Sequence, residues 1–379
     1  MQHETPIYLD YNATTPVAPS VVEAMLPYLR EHFGNPSSSH AYGVQAHGAV
    51  ELARAQVAEL IGCAPDEIVF TGGGSEADNL AIKGLAALQP ERRNHLITST
   101  VEHPAVLETC RSLERRGFRV TYLPVDGYGM VDPEDVRRAI IPQTILISIM
   151  HAQNEIGTIQ PVEEIGRIAQ EYGVPLHSDA AQSVGKIPTR VAELRVDLLT
   201  IAGHKLYAPK GVGALYVRRG LRLESLIHGA GHESGRRAGT ENVASIVGLG
   251  AACRLALEDA EPKAELLRTL RDRLHQTLLG PGTSLNGHPT RRLPNTLNLS
   301  FAGIASHTFL ETVPEVAASA GSACHAGQTT ASPVLLAMGL SQERALGAVR
   351  LSLGRWTTEG DVDRAGAALL AGLRSASVA

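Results

Sequence analysis

Strand-like runs that are apolar on both faces recur along this chain, and over the first 172 residues they alternate with helix-like segments. Ile145-Leu146-Ile147-Ser148-Ile149 is one such run. A strand that shows no polar face needs cover on both sides, as in a parallel sheet sandwiched by helices. The helix-like segments are 17–32, 44–61, 75–88, 104–116, 133–140 and 161–172. The strand-like segments are 67–70, 95–98, 119–123, 144–149, 174–177, 198–201 and 214–217. This alternation predicts an open α/β sheet with helices on both faces. Beyond about Thr240 the texture changes. A long helical run, Val243 to about Leu279, leads to a Pro/Gly/Asn-rich break and then to strands at 296–301, 315–319 and 348–353. That tail predicts a smaller α+β domain. The division expected is a large domain over 15–255 and a small one from 1–14 with 256–379.

Composition narrows the partners. Among 379 residues the net charge is −5, so no basic surface for nucleic acid is expected. No run approaches the roughly 20 apolar residues that span a bilayer. Met1-Gln2-His3-Glu4-Thr5-Pro6 lacks a secretion-signal pattern, so a cytoplasmic location is expected. The four cysteines have no metal-like spacing, and no metal site is expected. Cys63, Cys110 and Cys253 lie in or beside helix-like stretches. Cys324 differs, lying among small residues in Ala320-Gly321-Ser322-Ala323-Cys324, on an expected loop over 321–332.

Polar residues gather after the strand ends, where open α/β sheets hold ligands. Gly72-Gly73-Gly74-Ser75 follows a strand and opens a helix, a geometry that offers N–H groups to a phosphate. The same letters fit a dinucleotide fingerprint, yet no acidic residue ends the next strand, and a plain turn is an equal competitor. His103 follows the second strand and precedes Pro104. Asn154, Asp179 and Lys205 each follow a later strand. Lys205 has apolar or glycine flanks, and desolvation of its amine favours imine formation. Asp179 can pair with a pyridinium, and His103 can stack on a ring and move protons. Arg355 ends a strand of the small domain, where a planar fork suits a carboxylate. Taken singly, each has a bland reading as a surface, capping or solvated residue. Their convergence favours chemistry.

The motifs together resemble the cysteine desulfurases and selenocysteine lyases of the class V aminotransferase superfamily, pyridoxal phosphate (PLP) enzymes of fold type I. The blocks that carry the likeness include Tyr8-Leu9-Asp10-Tyr11-Asn12-Ala13-Thr14-Thr15-Pro16, Gly74-Ser75-Glu76-Ala77-Asp78-Asn79, Asn154-Glu155-Ile156-Gly157 and Asp179-Ala180-Ala181-Gln182. Gly203-His204-Lys205, Gly239-Thr240-Glu241-Asn242, Gly321-Ser322-Ala323-Cys324 and Ser352-Leu353-Gly354-Arg355 continue it.

The resemblance implies a mixed, mostly parallel seven-stranded sheet and a homodimer. It implies Lys205 as the imine lysine, Asp179 as partner of the pyridine nitrogen and Gln182 as partner of the phenolic oxygen. His103 would stack on the ring. Gly74, Ser75 and His204 would hold phosphate, with Thr240 reaching in from a second subunit. Asn154 and Arg355 would hold the substrate carboxylate, and Cys324 would take the sulfur. L-Cysteine is the expected substrate, and a sulfur-acceptor protein such as an iron–sulfur scaffold the expected partner. L-Selenocysteine lyase, a keto-acid aminotransferase and a PLP-free regulatory subunit are the alternatives. One position departs from the pattern: Ala202 stands where many desulfurases carry a phosphate-binding serine.

Overall fold

The computed structural model describes residues 5–89, 93–320, 322–325 and 328–376, the side chains of 321–329 excepted. Its centre is a seven-stranded sheet. In spatial order the strands are Ile68–Thr71, Gly213–Val217, Leu198–Ala202, Leu176–Asp179, Thr144–Ser148, His95–Ser99 and Arg119–Leu123. Gly213–Val217 runs antiparallel to both neighbours, and the remaining pairings are parallel. All residues of six of the seven strands, including Thr144–Ser148 and Leu198–Ala202, are buried, as their lack of a polar face predicts. Helices cover both faces. Ala41–Ile61 brings Val50, Ala53, Val57 and Ile61 to one core, and Gly74–Ala87 brings Leu80, Ile82 and Leu85 to another.

A second, four-stranded sheet has the order Ser319–Ala320, Ala348–Ser352, Thr296–Phe301, Thr283–Leu285. Its core joins Leu297, Leu299, Val349 and Leu351 to the helix Glu359–Ala376 through Val362 and Leu369. One 36-residue helix, Val243–Leu278, serves both cores. Ile246, Leu249 and Cys253 pack in the first, and Leu267, Leu270 and Leu274 in the second. The helix changes direction at Asp259 (φ −143°), three residues before Pro262. A proline cannot donate to the preceding turn, so the ladder breaks there. The N-terminal residues Ile7–Tyr8 pair in parallel with Val316–Ala317 and so belong with the second unit.

The expected loop over 321–332 contains a hairpin instead. Ser322–His325 pairs antiparallel with Gln328–Ala331, which sets Cys324 opposite Thr329. Backbone pairing supplies regularity there that small side chains do not announce. The Cys324 side chain lies outside the described residues. Among the described residues no helix is long and apolar enough to cross a membrane, and no His/Cys/Asp/Glu cluster suits a metal.

Candidate active site

Each group of the site sits just past a strand, because there the chain leaves the sheet and its side chains are released from core packing. Gly73 adopts φ 144°, which only glycine tolerates, and the helix Gly74–Ala87 starts at once. His103 caps the helix Pro104–Glu114, its Nδ1 accepting from the Ala105 N–H at 3.2 Å. A backbone N–H can only donate, so Nδ1 carries the lone pair and neutral His103 bears its proton on Nε2. Asp179 ends its strand, and Lys205 lies in the 3₁₀ turn Gly203–Lys205 after the next.

These residues meet around one cavity of about 340 Å³, within the range of small-ligand pockets. Gly74, Ser75, His103, Asn154, Asp179, Gln182, His204 and Lys205 all line it. So do Asn12, Asp78 and Arg350, to which the sequence reading gave no role. Thr240 is exposed and outside this wall.

Lys205 donates to the carbonyls of Asn12 at 2.6 Å and Ala13 at 2.7 Å. Burial, then the nearby Arg350 cation, lowers its amine to about 8, against an ordinary value near 10.5. About one-tenth is therefore neutral at pH 7, far more than for a surface lysine. Asp179 is buried and accepts from the Ala181 N–H at 2.9 Å. Burial raises its carboxyl, while His103 and Lys205 pull it back. A cation arriving in the pocket would favour the ionised form further. Burial lowers His103, and burial followed by Lys205 lowers His204 to about 4. His204 is thus neutral at pH 7, with Nδ1 3.1 Å from Thr14 Oγ1.

Arg355 departs from expectation. Its guanidinium pairs with Asp259 at 2.5 and 2.7 Å and donates to the Leu255 carbonyl at 3.0 Å. These contacts turn it from the cavity toward the bend of the long helix. Arg350, five residues earlier, occupies the cavity wall. It donates to Asp10 Oδ1 at 2.7 Å, Ser319 Oγ at 2.9 Å and the Asn154 carbonyl at 3.2 Å, while its buried Nε has no partner. The signal was present: an arginine interrupts the fully buried strand Ala348–Ser352. Buried charge in a strand is costly and rarely decorative.

Asn12 is the other residue missed. Its N–H donates to Ser352 Oγ, and its Nδ2 to the Asn154 carbonyl and Thr296 Oγ1. Its Oδ1 accepts from Asn295, and its carbonyl from Lys205 and Gln182. It joins the two sheets at the amine. At the cavity wall, buried Asp78 keeps Oδ1 without a hydrogen bond among the described residues, 3.6 Å from His177 Nε2. Burial and the nearby Asp179 raise its carboxyl well above the ordinary range.

Comparison with known proteins agrees with this geometry. The class-V aminotransferase family model matches residues 7–365. The cysteine desulfurase IscS of Methanosarcina thermophila is 51% identical over 361 residues, 94% of this chain and 89% of that protein. A solved NifS-like protein superposes with a TM-score of 0.92 at 38% identity, covering 99% of this chain and 100% of that one. A protein described as SspA in complex with cysteine gives 0.82 at 41% identity, covering 93% and 99%. The architecture is accordingly that of the fold type I transferases, and enzymes of these families are PLP-dependent in general. With the matched family spanning both sheets and the whole cavity, the chain belongs to the class-V aminotransferases, among the cysteine desulfurases.

Proposed function

We propose that this cysteine desulfurase holds PLP in the 340 Å³ cavity and passes the sulfur of L-cysteine to Cys324. The observation that carries the reading is the convergence of Lys205, Asp179 and His103 on one wall with the Gly74–Ser75 turn. The donor set fits the cofactor. Gly74 N–H, Ser75 and neutral His204 suit a phosphate at the start of a helix. Asp179 suits a protonated pyridine nitrogen, and Gln182 suits a phenolic oxygen. When bound, PLP supplies an electron sink for charge developing at the substrate α-carbon.

The chain's own residues do the rest. Lys205 offers an amine that is neutral often enough to react and to carry a proton away from the α-carbon. His103 covers the ring and keeps an Nε2 proton on the cavity side. Arg350, in place of Arg355, holds the substrate carboxylate through donors left over from Asp10 and Ser319, and Asn154 adds an amide. Cys324 then attacks the substrate sulfur. The Cβ–S bond breaks as an S–S bond forms, Cβ gains a proton, and the products are L-alanine and a Cys324 persulfide. No external oxidant or reductant is needed. The persulfide would pass to an acceptor protein, such as an iron–sulfur scaffold, in the cytoplasm.

Thr240 fits a two-subunit site. It is exposed, away from its own cavity, at the end of the segment 228–241. Near that segment an apolar surface stands open: Phe33 is 78% exposed, Val44 60% and Leu52 62%. A second copy packed there would cover this surface and bring Thr240 to the partner's phosphate.

The test is Cys324→Ala. This variant should keep the visible band of bound PLP and release no sulfane sulfur from L-cysteine. Full-rate sulfur release by the variant would remove Cys324 from the mechanism, and a wild-type protein that gains no band with PLP would remove the cofactor.

A further inference from the structure

A second lysine lies one residue layer beyond the cavity. Lys186 is not on the cavity wall. It lines a neighbouring void of about 30 Å³ with Tyr207, Asp259 and Arg355. Gly185 before it takes φ 74°, and a Cβ there would lie 2.1 Å from Leu206 Cδ1, so the chain must turn at a glycine. The turn sends the Lys186 side chain back to Gln182. Its Nζ donates to Gln182 Oε1 at 2.9 Å and, more distantly, to Asn12 Oδ1 at 3.5 Å.

This is an unusual place for a lysine. Among the described residues no ion pair engages it, and the charges that bear on it are the cations Lys205 and Arg350. Burial, followed by those cations, lowers its amine to about 7. A charge without an anion is costly where water is scarce. What remains to explain the residue is its N–H donation, which both the ammonium and the neutral amine provide.

The carboxamide of Gln182 has unlike ends: the oxygen accepts and the nitrogen donates. Lys186 donates to the end it meets, Oε1, and its ammonium form can do nothing else. A backbone carbonyl only accepts, so the end that meets the Asn12 carbonyl, at 2.9 Å, must be Nε2. The two contacts together forbid the flipped amide. Nε2 has a second hydrogen, and Gln182 lines the cavity. We propose that Lys186 is a positioning residue that locks the Gln182 carboxamide with its N–H end available to the phenolic oxygen of PLP. A flipped amide would set oxygen against that anionic oxygen.

The inference rests on the reading of Gln182 given above, and the experiment separates the two. Apo forms of wild type, Lys186→Met, Gln182→Ala and the double variant are titrated with PLP. The visible band gives the dissociation constant and the absorbance maximum, and the melting temperature of each apo form is recorded. Methionine keeps the unbranched stem and removes the donor. Lys186→Met should weaken PLP binding several-fold, about what one hydrogen bond supplies, and move the band as Gln182→Ala does. The double variant should bind no more weakly than Gln182→Ala alone, since Lys186 acts only through that amide. An unchanged constant and band in Lys186→Met overturns the proposal. So does a loss that adds in full to that of Gln182→Ala, which would make Lys186 a support of the fold. A wild type with no band sinks the cofactor reading itself, and a Gln182→Ala variant that binds PLP like wild type sinks the role of Gln182.

Discussion

Ala202 touches the phosphate end of the cavity: a Cβ built on Gly74 would lie 3.1 Å from the Cβ of Ala202. A hydroxyl at that position therefore reaches the turn where Gly74 and Ser75 stand. Ala202→Ser should tighten PLP binding by about 0.5–1.5 kcal/mol, the net worth of one neutral hydrogen bond. The PLP dissociation constant checks it, and no change would mean that the hydroxyl turns away. Lys205, Asp179 and His103 were legible in the sequence because each has a distinctive chemistry and follows a strand. Arg350 and Asn12 were not. Arg355 has the same side chain as Arg350 and lies just past the strand that Arg350 interrupts, and only the third dimension shows that Asp259 captures it. Asn12 meets the amine through its backbone carbonyl, which any residue type would supply, and the side-chain bonds that place it reach residues more than 140 positions away.

The segment 228–241 is held by a buried ion pair. Arg54, on the helix Ala41–Ile61, meets both Glu233 oxygens at 2.7 and 2.8 Å, and Glu233 also accepts from the Phe70 N–H at 2.8 Å. Glu233 (φ 48°) and Ser234 (φ 57°) are both left-handed without being glycine, a conformation that needs outside support. Glu233→Ala would take from the half-buried Arg54 guanidinium its bidentate partner, leaving it Glu51 and the Ile68 carbonyl, at a cost of about 1–3 kcal/mol. The melting temperature of the apo protein should fall clearly, and an unchanged value would show that the pair does not hold the segment. None of this was readable beforehand, because Arg54 and Glu233 are 179 residues apart. The seven strands, by contrast, were legible from apolar runs. The Cys324 hairpin was not, since Gly, Ser and Ala give no period-two signal.

Among the described residues an apolar surface is exposed on the helix whose Arg54 holds Glu233 and just before it. Phe33 stacks on Tyr42 at 5.5 Å, and Val44, Gly48 and Leu52 continue along one side of the same helix, with open space beside Gly48. On the dimer proposed above, Val44→Glu with Leu52→Glu should leave a monomer in light scattering and weaken PLP binding, because Thr240 would then reach no second cavity. A double variant that stays dimeric would place the interface elsewhere. The division into a large and a small unit was expected from the change of texture near Thr240. The long helix was legible too, as a run from Val243 to about Leu279; its bend at Asp259 was not.

Asn12 carries a consequence for the order of events in the cell. The acceptors of the Lys205 amine leave the ribosome 340 residues before Ser352, which helps to fasten Asn12. At 5–20 residues per second that interval is roughly 17–70 s. Until Asn295, Thr296 and Ser352 have been made, Asn12 lacks its partners in the second sheet, so on the proposed reading the amine's cradle closes only once that sheet has formed.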